Sequence, residues 1–179
     1  MGEHLGHGAH RSARSRPWSP SPVALSTAPV VPTPVLPSPN GSAIAARASA
    51  ADAQIVIGCL RNASAVARHL LASRVDRVTA VPAGEQWPDG SLRPALEDRL
   101  GAGAVVSALI GRTSVDASPE AGAAAVAYRR TRDVAGAASD SVSGLELQRR
   151  GHGADVDVAV HIDADDVVPR LVAGAFRLD

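Results

Sequence analysis

Residues 81–106, VPAGEQWPDGSLRPALEDRLGAGAVV, constrain this chain more than any other stretch. The apolar, β-branched run at 78–81 that leads into it has the composition of a strand. Pro82, Ala83 and Gly84 end that strand, because proline removes a ladder donor and glycine opens backbone shapes that a strand does not use. Glu85 and Asp89 fall in the loop that follows. Ser91 is then placed to cap a helix in which Leu92, Leu96 and Leu100 recur every four residues. Glu97 and Asp98 lie on that helix, and Gly101 and Gly103 are expected to interrupt it. Strand, acidic loop and helix in that order read as the edge of an α/β layer, where ligands bind in the crevice beyond the carboxyl ends of the strands.

The interior has to be built from small residues. Hydrophobic residues fill 45% of the 179 positions but aromatic ones only 2%, so Ala, Val and Leu must form the core of a single domain. So few rings do not suit a base-stacking surface, and a formal net charge of zero gives no sign of a polyanion-binding face, so no nucleic-acid partner is expected. The basic residues are all arginine, a bias that carries no functional weight. Cys59 is the single cysteine, which rules out an internal disulfide. No apolar run reaches the length of a membrane span, and Pro29, Pro32 and Pro34 break the apolar stretch near the amino terminus, against a signal peptide. The chain therefore reads as cytoplasmic, with no membrane partner.

Residues 1–34 are Pro-, Ser- and Arg-rich and are expected to form a disordered lead-in without helix; His4, His7 and His10 belong to it as a polar tail. The folded domain is expected over 35–179. Within it the pattern predicts a helix at 43–51, a strand at 54–59, and a helix after Asn62 with Val66, Leu70 and Leu71 facing the sheet. Residues 104–110 read as the second half of a broken helix. Ser118-Pro119-Glu120 opens a helix over 121–130, and 143–150 reads as another, ended by Gly151. Strands are expected at 156–162 and 175–178, with a small helix or turn at 167–172. The order fits an α/β domain with a largely parallel sheet.

Four sets of residues can carry chemistry. Glu85 and Asp89, two carboxylates in one Gly- and Pro-bounded loop, suit a hard cation such as magnesium; they equally suit solvated loop charges. Arg93, Glu97 and Asp98 offer an anion contact and further metal ligands, or a surface ion pair between Arg93 and Glu97. Arg61 and Asn62 stand at a helix start, where free N–H groups and a forked guanidinium suit phosphate or sulfonate, with plain capping by Asn62 as the alternative. Asn40-Gly41-Ser42 is a turn that can present N–H groups to an anion, or simply a turn. Cys59 and His161 read as structural. No nucleophile elbow, P-loop, zinc or dinucleotide pattern is present.

The segments PSPNGS (37–42), GCLRNASAVA (58–67), VPAGE (81–85), DGSLRPALEDRLGAGA (89–104), DVDVAV (155–160) and VVPRLVAGAF (167–176) together resemble the 2-phosphosulfolactate phosphatase family, in order from about Pro37 onward. The resemblance implies a magnesium-dependent phosphohydrolase that converts 2-phospho-3-sulfolactate to 3-sulfolactate and phosphate, a step of coenzyme M biosynthesis, in a three-layer α/β/α fold. It implies Glu85 and Asp89 as catalytic residues, Glu85, Glu97 and Asp98 as metal ligands, and Asn40, Gly41, Arg61, Asn62 and Arg93 as contacts for a small phosphate- and sulfonate-bearing substrate. The sequence departs from the family pattern in three places. It lacks an amino-terminal segment like DVLRATTT, has Gln86 where the loop ends in Arg, and has Leu145 where SGREL has Arg. A truncated or divergent member is thus expected, either active, inactive, or altered in substrate. Its sheet edge would be open to self-association.

Overall fold

The computed structural model describes residues 19–30, 34–36, 38–112 and 116–178. The expectation for His4, His7 and His10 lies outside them. The elements in chain order are α1 (Pro22–Thr27), α2 (Pro39–Ala48), a 3₁₀ turn (Leu60–Asn62), α3 (Ala63–Ala72), β1 (Glu85–Gln86) and β2 (Leu92–Arg93), followed by α4 (Leu96–Ile110) and α5 (Pro119–Arg130). Then come α6 (Val134–Ser139), α7 (Val142–Arg149), α8 (Gly153–Ala159), β3 (Arg170–Val172) and β4 (Ala175–Arg177). The chain is mixed helix and strand. Among the described residues its sheets are two antiparallel ribbons, β1–β2 and β3–β4, with a single antiparallel bridge from Val56 to Arg170.

Helix α4 is the centre. Leu100, Ala104, Val105, Val106 and Leu109 are all buried, and they occupy more than one face of the helix, as a helix surrounded by others requires. Leu60, Val66, Ala67 and Leu70 pack on it from α3 and the turn before it, and Val134 and Ala138 from α6. The expected break at Gly101 and Gly103 does not occur, and α4 runs through both. A Cβ on Gly103 would stand 2.5 Å from the Ala124 carbonyl oxygen and 3.0 Å from Tyr128 Cβ. This glycine is a contact surface for α5 rather than a helix stop, and small residues are what allow two helices to approach so closely.

Several elements differ from the sequence reading for physical reasons. In the run at 156–162, residues 156–159 form the end of α8 and Val160 caps it, because valines that alternate along a strand also place Val156 and Val160 four apart; Val156 is buried and Val160 packs on the core. Residues 54–59 make one bridge and two flanking hydrogen bonds to β3 instead of a full strand: Ile57 N–H to the Pro169 carbonyl and Leu171 N–H to the Ile55 carbonyl, both at 2.9 Å. The run at 78–81 is extended chain without a ladder, with Val78 and Val81 exposed. Part of 167–172 is strand β3. Within the expected lead-in, residues 22–27 are helical: Pro22 is the first helical residue, where its missing N–H costs nothing, and the Ser21 hydroxyl caps Ala24 N–H at 3.1 Å. Asp155 anchors this helix by accepting from Ser21 Oγ at 2.6 Å and Val23 N–H at 3.0 Å. No helix among the described residues is long and apolar enough to cross a membrane.

Candidate functional site

The site is built on Gly84. Its φ is +69°, a left-handed value that side chains rarely adopt, and a Cβ here would stand 2.7 Å from Leu92 Cδ1. This conformation turns the extended chain at 78–83 into the β1–β2 hairpin, where Glu85 pairs with Arg93 and Gln86 with Leu92. It also exposes both polar groups of Gly84 to side chains. The N–H donates to Asp98 Oδ2 at 2.8 Å, and the carbonyl accepts from Asn40 Nδ2 at 2.9 Å. Asn40 Nδ2 also reaches Glu85 Oε2, at 3.5 Å.

These contacts gather α2, the hairpin and the first turn of α4 around a cleft of about 470 Å³, lined by Ser38, Asn40, Gly41, Gly84, Glu85 and Asp98. Burial pushes the Asp98 carboxyl above its usual range, and repulsion from Glu97 and Glu85 adds to the rise; the Gly84 N–H opposes it. Asn40 Oδ1 and Glu97 Oε2 are buried with no hydrogen-bond partner. The region thus holds three carboxylates and an unpaired amide oxygen at close quarters, an arrangement that favours a cation or a proton. Among the described residues no group of three or more His, Cys, Asp or Glu is arranged as a ready metal cage.

Asn40, Gly41 and Ser42 are not a turn. They form the first turn of α2, and Ser42 N–H already donates to the Ser38 carbonyl at 3.0 Å. Ser91 caps no helix: α4 starts at Leu96, and Leu92 and Arg93 are strand. Pro94 separates the two, since proline fits the approach to a helix but not its interior. Asp89 lies at the exposed hairpin tip, where its Oδ1 accepts from Ser91 N–H at 2.9 Å and Ser91 Oγ at 2.7 Å. Those bonds hold its carboxyl below the ordinary range, and it does not line the cleft.

Arg93 does not pair with Glu97. Its guanidinium forms a two-pronged pair with Glu146, at 2.8 and 3.1 Å, and lies 5.4 Å from the centre of the Trp87 ring. The pair raises the Arg93 pKa and lowers that of Glu146. It also closes the floor of a second cleft of about 460 Å³ between the hairpin and α7, and Glu85 lies in the wall of both clefts.

Arg61 and Asn62 line neither cleft. Arg61 Nε and Nη2 grip Asp165 at 2.7 and 3.1 Å, and its Nη1 donates to the Val158 carbonyl. Asn62 is buried; it accepts from Cys59 N–H at 2.8 Å and donates to the carbonyls of Ile57 and Val167. The start of α3 is likewise taken, with Ser64 N–H and Oγ bonded to Asp163 at 2.8 and 2.6 Å, and Arg68 to Asp166 at 2.6 Å. Residues 163–166 supply internal anions to donors that the sequence reading gave to a substrate. Cys59 is exposed rather than in the core. Glu146 and Trp87 had no role in the sequence reading. Glu146 lies in the SGLEL segment, where it looks like a solvated charge on a short helix.

Residues 17–174 match the model of the 2-phosphosulpholactate phosphatase family, and the chain is a member of that family. Among curated relatives, a Deinococcus radiodurans protein described as "Probable 2-phosphosulfolactate phosphatase" is 33% identical over 140 residues, covering 78% of this chain and 56% of that protein. The chain therefore spans a little over half the length of that relative.

Proposed function

We propose that the chain is a magnesium-dependent phosphohydrolase acting on 2-phospho-3-sulfolactate, releasing 3-sulfolactate and phosphate in a cytoplasmic pathway of the coenzyme M type. The observation that carries this reading is the meeting of Glu85 and Asp98 at one cleft, in a member of this family. The donor set suits magnesium in kind. That ion takes one or two carboxylates and completes its shell with water and substrate oxygens. Asp98 and Glu85 would hold it, Asn40 Oδ1 adds a neutral oxygen without a partner, and Glu97 stands behind them. When bound, magnesium offsets the negative charge of the phosphate oxygens.

The remaining work falls to the chain. Hydrolysis needs water to attack phosphorus in line with the departing oxygen, and the water must lose a proton. Glu85 is the cleft carboxylate not committed to a backbone N–H, so it is placed to take that proton. Asn40 and Gly41 form the opposite wall and would orient the substrate. Asp89, at the hairpin tip, would reach the reaction only if the hairpin moved toward the cleft, and its own variant tests that. It gives Arg61 and Asn62 a structural part, holding residues 158–167 against the core. In a longer family member, residues 54–59 and 78–81 would enter the largely parallel sheet of a three-layer α/β/α fold. Exposed Val78 and Val81 would promote self-association without it.

A second reading, a family member that has lost turnover, is favoured by the internal pairing of Arg61 with Asp165 and of Arg93 with Glu146, which removes both as substrate contacts. Phosphate release from 2-phospho-3-sulfolactate, with and without magnesium, separates the two. Magnesium-dependent release that falls at least a hundredfold in Glu85→Gln and Asp98→Asn supports the enzyme, and a similar fall in Asp89→Asn would keep the hairpin tip in the mechanism. No release by the folded chain hands the site to the second reading.

A further inference from the structure

Helix α7 presents an unusual face to the second cleft. Ser143, Glu146 and Leu147 of the helix and Arg150, the residue that ends it, line it, at the i, i+3, i+4, i+7 spacing that normally forms the apolar stripe of a helix on a core. Here three of the four are polar, and the cleft they line is open between α7 and the hairpin. Glu146 is spent on Arg93, whose fork is filled on both prongs. The Ser143 hydroxyl and the Arg150 guanidinium make no hydrogen bond to the described residues, although the charge of Arg150 reaches Glu146. Across the cleft stands Trp87, half its surface open to solvent at 49%. A hydroxyl and a guanidinium without hydrogen-bond partners among the described residues, on and just past one helix and opposite an indole ring, suit a small anion on a short carbon chain.

We propose that this second cleft receives the end of the substrate that is not transferred, a carboxylate or sulfonate, with Arg150 and Ser143 as its contacts. Glu85 and Gln86 line both clefts, so one molecule with a phosphate at one end and a second anion at the other can lie across them. Arg93 does not contact the anion. Its charge is met by Glu146, and with Trp87 it fixes the floor of the cleft. The assignment rests on the phosphohydrolase reading for the identity of the substrate.

The test is calorimetric titration of the folded chain with 3-sulfolactate and, separately, with inorganic phosphate in the presence of magnesium. Arg150→Gln should weaken 3-sulfolactate at least tenfold and Ser143→Ala about threefold, with Arg150→Lys recovering part of the loss. Phosphate affinity should stay within twofold in all three. The proposal is overturned if the unmodified chain does not bind 3-sulfolactate, if Arg150→Gln binds it unchanged, or if phosphate weakens in parallel. The phosphate-release assay keeps the two readings apart. Selective loss of 3-sulfolactate without turnover leaves the subsite standing and removes the enzyme, while turnover with an unchanged KM in Arg150→Gln does the reverse.

Discussion

Asn40 and Asp98, from helices α2 and α4, meet across a single residue: one donates to the Gly84 carbonyl at 2.9 Å and the other accepts its N–H at 2.8 Å. Neither contact could be made if residue 84 had an extended backbone. The geometry of the acidic cleft therefore depends on the conformational freedom of one glycine.

Gly84→Ala should lower stability by about 1–3 kcal/mol, because it combines a left-handed φ with a Cβ too close to Leu92. Gly90 shares the left-handed φ, at +82°, but has open space around it. Gly90→Ala should cost only about 1 kcal/mol. Thermal melting of the two variants compares them directly, and equal losses would show that the Leu92 contact is relieved without cost.

Asp98→Asn should separate stability from function. The native carboxyl is held above its normal range by burial and by Glu97 and Glu85. Between the ordinary carboxylate range and that raised value, the folded state binds more protons than the unfolded one, so stability declines as pH rises through the window. The amide keeps an acceptor for Gly84 N–H and removes the repulsion. The expected outcome is a gain of about 1 kcal/mol, or roughly 2–4 °C in Tm, at neutral pH. The gain should vanish in mild acid and be accompanied by weaker magnesium binding in a titration.

Gly103→Ala should destabilise by about 1–3 kcal/mol, since the new methyl group would strike the Ala124 carbonyl and push α5 off α4. Gly122→Ala is the matched control. It lies inside α5 with nothing within 4 Å of its Cβ, and alanine there should stabilise by about 0.5–1 kcal/mol. Urea denaturation of both variants measures the difference.

Acid should loosen the chain at particular carboxylates. The Arg61 guanidinium holds the Asp165 carboxyl below its usual value, and Arg93 does the same for Glu146. Each contributes stability above the ordinary carboxylate range that is lost as pH falls through its lowered value. Arg61→Gln should flatten the acid side of the stability curve, and the same variant should leave the neutral-to-alkaline side parallel to the parent's. A curve of unchanged shape would mean that the Arg61–Asp165 pair contributes nothing in solution.

The parts of the site that were legible in the sequence are those encoded locally. Gly84, Glu85 and Asp98 stand within one continuous pattern, and the turn-forming glycine and first-turn acids have meanings that do not depend on distant partners. Arg61 looked free because its partner, Asp165, lies far along the chain. Arg93 seemed to belong to a helix because the leucine repeat begins one turn early, before Pro94 ends the extended segment. Alternating valines at 156–160 satisfied both a strand and a helix, and only packing against the core decided between them. At Gly103 the residue type was read for its cost to an isolated helix, whereas its value lies in the neighbour it admits. Glu146 and Arg150 carry no local signal, since a polar stripe on a helix is the ordinary appearance of a solvated face.

The bonds from Ser64, Arg61 and Arg68 to residues 163–166 join points 98–104 positions apart. A ribosome therefore releases α3 long before the anions that complete its first turn have been synthesised. The apolar side of α3 is covered earlier, by α4, so what waits for the late segment is the polar start of the helix, whose donors stay in water until residues 163–166 arrive.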